Sequence, residues 1–577
     1  MSTDLDSPAG ATGAAPATAS RSYGAAVKNE TLEDYSLRYA PKSFRKWSEW
    51  TVANTALGGI AYLADFSIGA SIAVTHGAGN AIASVLVAAL VIFVTGIPIS
   101  YYSARYSIDM DLLTRAAGFG YLGSTITSVI YASFTFIFFA LEGSIMAQAF
   151  EVGFGLPLWA GYIITAFLIL PLVVFGMTAL SKLQVWTQPI WLIGMFAPFV
   201  YLLFKDPGMY SAFTSWAPGG SDGSGDGAGF SWLGFGLGMG VALSLIAQIG
   251  EQVDALRFMP EKTAANAKKW WTAVLAAGPG WVILGALKQL GGAFLAFVFV
   301  SGGAAIAAAS EPIHQYVAGF NFILPAGIVT GVAVFFVVLS QVKINVVNAY
   351  AGSLAWSNFF SRVLHFHPGR VVWIFFNVGI ALALMEFGVF GFLNTVLGFY
   401  SNVAIAWIGA IVADLCVNKP LGLSPAIIEF KRAHLYNFNP VGFGSMLIGA
   451  TVSIMAFYDW FGAYAQAFSP FIALALAFVL SPVLAYLTKG KYYIAREDEH
   501  PEPLMVDGLL NAATDECTVC DTTFERPDMA HCPHHEGSIC SLCCSLDKEC
   551  HDMCKTSARG GNGTRRLVDV QITSAPA

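Results

Sequence analysis

The most chemically unusual stretch of the sequence is 340–350, where polar side chains interrupt a strongly apolar segment. Gln341, Asn345 and Asn348 are spaced by four and three residues, so on a helix they share one face. Lys343 lies off that face and would point toward a different neighbour. Such groups are costly in lipid and usually face a bundle interior or a solute pathway. The alternative is a polar patch that only joins helices.

Other apolar segments carry buried ionisable and amide groups of the same kind. They are Asp65, Glu142, Gln248, Glu251, Gln252 and Lys288. A carboxylate inside a membrane needs a proton or a cation, so Asp65, Glu142 and Glu251 are candidates for proton carriage, ion coordination or hydrogen bonding to a polar solute. Lys343 is the expected counter-charge. The alternative for each is a buried ion pair with only a structural role.

The composition identifies the class of protein. Of 577 residues, 56% are hydrophobic and 12% are charged, whereas a soluble domain carries about 25% charged residues. The chain is therefore an integral membrane protein. It has no basic run interleaved with aromatic residues, which argues against nucleic-acid binding. No acyl-transfer or phosphate-cradling motif is present, which argues against an enzyme.

Twelve segments are apolar enough and long enough to cross a membrane as helices, each near 20 residues. They are 51–75, 79–101, 121–150, 157–180, 184–204, 230–250, 271–299, 325–352, 371–389, 392–416, 441–462 and 466–488. When the segments alternate across the membrane, nearly all the lysines and arginines near it fall on one side, and only Lys205 falls on the other. The positive-inside rule then places both termini in the cytoplasm.

These spans divide the chain into five parts. We expect a cytoplasmic N-terminal segment with a disordered start (1–50), a twelve-helix domain (51–490), a linker (491–515), a Cys-rich metal-binding domain (516–556) and a disordered tail (557–577).

Glycines interrupt the first and sixth spans. Gly58, Gly59 and Gly69 lie in the first, and five glycines between Gly234 and Gly250 lie in the sixth. Glycine-interrupted helices at matching places in two halves indicate an inverted repeat with a binding site at the breaks. Glycine is also common wherever membrane helices pack closely, which is the alternative.

Eight of the nine cysteines lie between Cys517 and Cys554. The pairs Cys517/Cys520 and Cys540/Cys543 have zinc-ribbon spacing. A second four-ligand site is available from Cys532, Cys544, Cys550 and Cys554. Cytoplasmic thiols are seldom paired as disulfides, so metal is favoured. We favour zinc, with an iron–sulfur cluster as the alternative metal group. The alternative without any metal is free thiols in a disordered tail.

Four segments of the chain resemble one known family. Residues 36–41, 345–350, 411–414 and 434–443 are similar, in order and spacing, to segments of the nucleobase–cation symporters, the purine–cytosine permease family. The resemblance covers about residues 30 to 490.

This resemblance implies an all-α, leucine-transporter-like fold of twelve helices, in which two inverted five-helix repeats are followed by two more helices. It also implies a solute bound between helices 1, 3, 6 and 8. By position, Phe138 would stack on the solute, and Glu142 falls where family members have a glutamine. Asn348 falls at the family's solute-binding asparagine, beside Asn345. Gln248 and Glu251 fall near the helix 6 break.

Two departures from the family affect the ion and the solute. Residues 240–244 contain no aromatic side chain where members often place a tryptophan. Lys343 falls at or beside the helix 8 hydroxyl that would ligate sodium, so an ammonium would replace the ion. Asp65, Lys343 and Ser340 are the expected coupling site, and proton coupling or no coupling is favoured over sodium.

The sequence therefore supports two hypotheses. The first is a secondary transporter in the cytoplasmic (inner) membrane of a bacterium, importing a nucleobase-like or related small polar heterocycle. The Cys-rich segment also resembles the one that follows permease-like domains in bacterial hybrid sensor histidine kinases. The second hypothesis is therefore a solute receptor with a transporter fold, which signals to a cytoplasmic partner such as a histidine kinase.

Overall fold

The computed structural model describes residues 37–218, 229–497, 504–506 and 508–556 of the chain. The disorder predicted for the N-terminal start and the C-terminal tail concerns residues 1–36 and 557–577, which lie outside the described residues. Part of the glycine-rich stretch after the fifth span also lies outside them.

Helices occupy every predicted span. In chain order the helices are α1 (Glu49–Gly58), α2 (Ala64–His76), α3 (Ala78–Tyr106), α4 (Met110–Thr114), α5 (Thr125–Phe154), α6 (Leu158–Val174), α7 (Gly176–Lys205), α8 (Gly208–Thr214), α9 (Trp232–Ala242), α10 (Ile249–Leu256), α11 (Ala267–Ala277), α12 (Trp281–Ser301), α13 (Pro312–Phe320), α14 (Ala326–Val363), α15 (Arg370–Glu386), α16 (Leu393–Ala413), α17 (Pro440–Phe457), α18 (Ala463–Ala467), α19 (Ser469–Thr488), α20 (Ser541–Leu546) and α21 (Met553–Thr556).

Length and apolarity support these helices as membrane spans. Within the described residues, nine helical stretches are long and apolar enough to cross a membrane, and the bent pair α1–α2 makes a tenth. The helices α6 and α15 have 17 residues each and occupy the fourth and ninth predicted spans. Helices are expected here because lipid offers no partner for a free backbone group.

The first membrane helix is interrupted in its middle. After α1 ends at Gly58, a 3-10 turn covers Gly59–Ala61, and Tyr62 is extended (φ −60°, ψ 147°) before α2 begins at Ala64. The two halves meet at 48°. An added Cβ at Gly58 would collide with the side chain of Gln184 on α7, so glycine permits this close approach. We call residues 59–63 the helix-1 break.

The sixth membrane helix is also irregular in its middle. A 3-10 segment, Leu243–Gln248, separates α9 from α10. Such a segment inside a long helix often marks a hinge or local strain. The two irregular helices are the first of each predicted half, as the glycine pattern predicts.

The bundle is built around α5 and α14, which form the most extensive helix pair among the described residues. The helix α12 lies along α2. A Cβ at Gly69 would collide with the carbonyl oxygen of Gln289, and a Cβ at Gly292 would collide with the backbone of Phe66. These glycines let α12 approach α2 next to the helix-1 break.

The C-terminal part has little regular structure. Three antiparallel hairpins pair β1 (Met505–Val506) with β2 (Leu509–Leu510), β3 (Thr514–Glu516) with β4 (Thr523–Glu525), and β5 (Met529–Cys532) with β6 (Gly537–Cys540). The small apolar core includes Phe524 and Ile539 and is completed by Leu37, which precedes the first membrane helix. Both ends of the described chain therefore meet on one face of the membrane domain.

Candidate functional site

The helix-1 break leaves backbone groups that need partners from other helices. The amides of Leu63 and Ala64 donate to the carboxylate of Glu142 on α5, at 3.2 Å to Oε2 and 3.1 Å to Oε1 respectively. Glu142 is fully buried. A carboxylate suits this position because the N-terminus of α2 carries partial positive charge. Glu142, predicted as a solute ligand, therefore caps α2 at the break.

Lys288 on α12 fills the other side of the break. Its Nζ lies 2.5 Å from the carbonyl oxygen of Ile60, 3.0 Å from that of Tyr62 and 2.9 Å from Oδ2 of Asp65. It also lies 3.5 Å from the centroid of the Tyr62 ring. Gln289 donates to the other oxygen of Asp65 at 2.9 Å. Lys288, rather than the predicted Lys343, is thus the counter-charge of Asp65.

Lys343 has a different environment, and its expected pairing with the carboxylates is wrong. Its Nζ donates to Oγ1 of Thr187 at 2.9 Å and to the carbonyl oxygen of Gln184 at 3.2 Å, both on α7. Gln184 donates in return to the carbonyl oxygen of Lys343 at 2.7 Å. The hydroxyl of Ser340 donates to Phe336 of its own helix at 2.8 Å. The predicted coupling set of Asp65, Lys343 and Ser340 is therefore not gathered at the break.

The amide side chains of α14 lie on a common face, as the spacing predicts. Asn348 Nδ2 donates to Asn345 Oδ1 at 3.2 Å. The other polar atoms, Asn345 Nδ2 and Asn348 Oδ1, are buried and have no hydrogen-bond partner among the described residues. One donor and one acceptor are thus open on the same helical face. Gln341, one turn earlier, lies beside Glu142 of α5.

The two predicted residues of helix 6 contact each other. Gln248 Nε2 donates to Glu251 Oε2 at 2.6 Å, while Glu251 Oε1 has no hydrogen-bond partner among the described residues. Glu251 lines a narrow pocket between α1, α7, α10 and α14, together with Thr55, Val347 and Tyr350. The pocket has an empty volume of about 320 Å³, including the part open to solvent.

Phe138 is buried on α5, one turn before Glu142. Its ring packs against Phe134, with centroids 4.5 Å apart, and Phe134 in turn lies 6.3 Å from the ring of Tyr400. The structure therefore places an aromatic cluster beside the capped break.

A second candidate site lies in the Cys-rich domain. The Sγ atoms of Cys517, Cys520, Cys540 and Cys543 lie within 4.8 Å of one another. The amide of Cys540 donates to Cys517 Sγ at 3.3 Å, and the amide of Cys543 donates to Cys540 Sγ at 3.4 Å. Hydrogen bonds among the four thiols lower the pKa of Cys517 and raise the pKa of Cys540 and Cys543, so without a metal the group favours one thiolate at Cys517. These four residues fit a metal ion.

The second predicted cysteine site is not assembled in the same way. In the part of the chain that the structure describes, Cys532, Cys544, Cys550 and Cys554 do not form a group with ligand distances, although Cys544 is within electrostatic range of the other three. A different group does form, from His534, His535 and Asp547. In it, His535 Nε2 lies 2.6 Å from Asp547 Oδ2. No ligand spacing in the sequence marks this group, because Asp547 lies twelve residues from His535.

The Cys-rich domain is docked on the loops of the membrane domain, which sequence reasoning missed. Arg38, before the first helix, pairs with Asp528 at 2.6 Å. Arg432, between α16 and α17, pairs with Asp552 at 3.0 Å and donates to the carbonyl oxygens of Cys544 and Asp547 at 2.7 Å each.

Further contacts come from Lys431, next to Arg432, and from three other segments of the membrane domain. The contacting pairs are Arg105 with the carbonyl oxygen of Gly508, His365 with that of Ser545, Lys431 with that of Met529, and Arg496 with that of His531. The domain thus bridges segments from both ends and from the middle of the membrane domain.

Comparisons with known proteins define the fold. No family model matches the chain, and no curated protein matches it. Among solved structures, the closed form of Mhp1, a nucleobase-cation-symport-1 family transporter with bromovinylhydantoin bound, aligns with a TM-score of 0.57. The alignment has 15% identity and covers 80% of this chain and 100% of that chain. The inward-facing form of Mhp1 gives 0.56 at 15% identity, covering 78% and 93%.

A third structure, the substrate-bound outward-open state of a Na⁺-coupled sialic acid symporter, gives a TM-score of 0.54 at 12% identity, covering 80% of this chain and 93% of that one. The chain has the leucine-transporter-like fold. At these identities the likeness establishes the fold and leaves the solute and the ion to be argued from this chain's own residues. The expected all-α membrane architecture with a small Cys-rich region is confirmed.

Proposed function

We propose that the protein is a secondary transporter, not an enzyme, that imports a nucleobase-like or related small polar heterocycle. The supporting observation is the helix-1 break, where buried polar groups from α2, α5 and α12 converge and against which α14, the helix that carries the open amides, packs. Broken helices with free backbone groups near the middle of a membrane are typical of solute and ion sites in secondary transporters.

We propose as solute ligands the polar and aromatic side chains of the helices that pack around the break. Asn345 Nδ2 and Asn348 Oδ1 offer a donor and an acceptor, as an amide edge of a planar heterocycle requires. Phe138 would stack on the ring, and Glu142 and the pair Gln248 and Glu251 would supply further polar contacts. Mhp1, which shares the fold, is solved with bromovinylhydantoin, a planar heterocycle carrying ring amides.

The buried charges favour proton coupling over sodium coupling. Asp65, Glu142 and Glu251 lie within electrostatic range of Tyr62, and Lys288 is the cation bonded to this group. One ammonium neutralises one of the three carboxylates and already occupies the free carbonyl oxygens of Ile60 and Tyr62, so we assign protons to the other two carboxylates. The lysine that we assign to coupling is Lys288, paired with Asp65.

Uptake of labelled cytosine, uracil, adenine and hypoxanthine into cells that produce the protein tests this function, with sodium and pH varied separately. Accumulation of one base that follows pH and not sodium is the expected result. A matched variant, Gly331→Ala, changes a position on α14 where a Cβ meets nothing within 4 Å, and should transport normally. No uptake with protein present in the membrane would contradict a nucleobase solute.

A second candidate function is a solute receptor that signals through the Cys-rich domain. The observation that favours it is the docking of that domain on segments flanking α1 and α17, through Arg38 and Arg432. Movement of the helices on solute binding would then reach the domain and a cytoplasmic partner. Binding of a solute without its accumulation would support this function.

We also propose how the chain is oriented in the membrane and which metal the Cys-rich domain binds. The face that carries the Cys-rich domain is the basic one, so we assign it to the cytoplasm, with the chain in the inner membrane of a bacterium. We keep 491–515 as the linker and 516–556 as the metal-binding domain. Four thiolates in a tight group suit zinc, and metal analysis of the purified chain distinguishes zinc from a brown iron–sulfur product.

A further inference from the structure

The helix-1 break has the ligands of a cation site. The carbonyl oxygens of Ile60 and Tyr62 and the Oδ2 atom of Asp65 all lie within 3.0 Å of one point, the Nζ atom of Lys288. Carbonyl and carboxylate oxygens are the ligands that hard cations prefer. In transporters with broken helices, unwound backbone carbonyls coordinate sodium in this manner.

An ammonium group already fills this position. A lysine ammonium has three N–H donors, and three oxygens surround Nζ. The Tyr62 ring adds a cation–π contact, with Nζ 3.5 Å from its centroid. Lys288 and Asp65 have no exposed surface, so the pair is sealed from bulk solvent in this conformation.

We infer that Lys288 is a tethered cation occupying a latent alkali-cation site, and that shortening its side chain would open the site to Na⁺. The inference rests on the proposed function only for its meaning in transport, because ion binding itself can be measured without any solute. It deepens that function by explaining how a broken helix with free carbonyls would operate without sodium.

The groups around the site explain why a cation must be there. The carboxylates of Asp65 and Glu142 both act electrostatically on Lys288, and Gln289 holds Asp65 from α12. Without the ammonium, two carbonyl oxygens and one carboxylate would face an empty, buried space. Sodium would relieve that cost, whereas a neutral side chain would not.

The test is thermal unfolding of the purified full chain in sodium, potassium and choline chloride at equal ionic strength. Wild-type protein should have the same melting temperature in all three salts. Lys288→Ala should melt lower in choline and recover by several degrees with sodium, saturably, because a ligand that binds only the folded state stabilises it. Binding of radioactive sodium should likewise be absent in wild type and present in the variant.

Two matched variants locate the effect. Lys343→Ala also removes a buried lysine but one bound to α7, and it should show no sodium response. Lys288→Ala combined with Asp65→Asn removes the anionic ligand and should lose the response of Lys288→Ala. Saturable sodium binding by the wild type would overturn the inference, even if Lys288→Ala does not fold.

A folded Lys288→Ala that is indifferent to sodium would also overturn the inference. Failure of nucleobase uptake leaves these binding results unaffected, so the two claims fail separately.

Discussion

Glu142 shows how one residue can be read in two ways. From the sequence it was a solute ligand, because it falls where related transporters have a glutamine. In the structure its two oxygens accept hydrogen bonds from the amides of Leu63, the N-cap of α2, and of Ala64, the first residue of α2. The cap also aims the carboxylate into the break. Stability and solute binding are therefore both expected to depend on it, by different amounts in different variants.

Replacement of Glu142 separates these two roles. Glu142→Leu leaves buried amides unpaired and should cost about 1–3 kcal/mol of stability. Glu142→Gln keeps one acceptor oxygen and should fold better, but its uptake should lose pH dependence. The measurements are thermal unfolding and uptake from pH 5 to 8. Glu151→Gln, on the exposed side of α5, is the control and should resemble wild type. Unchanged stability and an unchanged pH profile in both Glu142 variants would remove Glu142 from the site.

Asn348 should matter more for binding than for folding. Within the described residues its Oδ1 has no partner and its Nδ2 makes one bond, to Asn345, so Asn348→Ala removes a single side-chain hydrogen bond from the protein. Loss of one solute hydrogen bond should weaken affinity about 3- to 10-fold, with a smaller fall in melting temperature than the contrasting variant shows. Asn402→Ala is the contrasting variant, because Asn402 bonds Ser453 and Gly398 and should lose stability instead. Equal effects on both properties in both variants would contradict this assignment.

At the scale of elements, the twelve spans and the glycine-bearing first and sixth helices were predictable because lipid imposes length and apolarity. The residue that binds the helix-1 break, Lys288, was not predictable. Lys288 and Ile60 are 228 residues apart, and no local pattern links them. The family resemblance places Lys343 at the ion position and so predicts it as the counter-charge, but in the structure Lys343 contacts Gln184 of α7. Periodicity gives the face of a helix and not the neighbour that face meets.

Close contact between α2 and α12 holds the break and Lys288 together. A Cβ at Gly69 would collide with the backbone carbonyl of Gln289. Gly69→Ala should therefore push the helices apart and cost about 1–3 kcal/mol, as overpacking does. The control is Gly327→Ala on α14, where nothing lies within 4 Å and alanine is the better helix former. Thermal unfolding of the two variants compares them, and a Gly69→Ala protein as stable as the control would show that the contact is not tight.

At the scale of the whole molecule, the sequence predicts a Cys-rich segment with metal-ligand spacing but does not predict that this segment docks on the membrane domain. The spacing of the cysteines predicts a group of metal ligands. Nothing in the sequence distinguishes Arg432 from other basic residues in loops, so its contact with the Cys-rich domain could not be predicted. In the structure Arg432 pairs with Asp552 and binds two carbonyls of the Cys-rich domain. Such charge-assisted bonds need both partners held in place. The domain has only a small apolar core, so we expect a metal ion at the four-cysteine group to stabilise it.

Loss of the metal should therefore release the domain from the membrane domain. Cys540→Ser removes one of the four clustered ligands, and metal content measured on purified protein should fall from about one ion per chain toward zero. Limited proteolysis should then cut the segment between α19 and β3 faster, because Arg432 and Arg38 lose their ordered partners. A strong chelator should reproduce both results in wild type. Cys416→Ser changes a cysteine at a helix end, outside the cluster, and should alter neither.

Two outcomes would contradict this account at different points. If Cys540→Ser keeps its metal, the four-thiolate site is wrong and the group of His534, His535 and Asp547 is the one to test next. If metal is lost but proteolysis is unchanged, the metal does not maintain the docking. The charge pairs then suffice, and Arg432→Ala should release the domain by itself. That last result would still connect the domain to the loop before α17, where Arg432 lies, and so to any helix movement that solute binding causes.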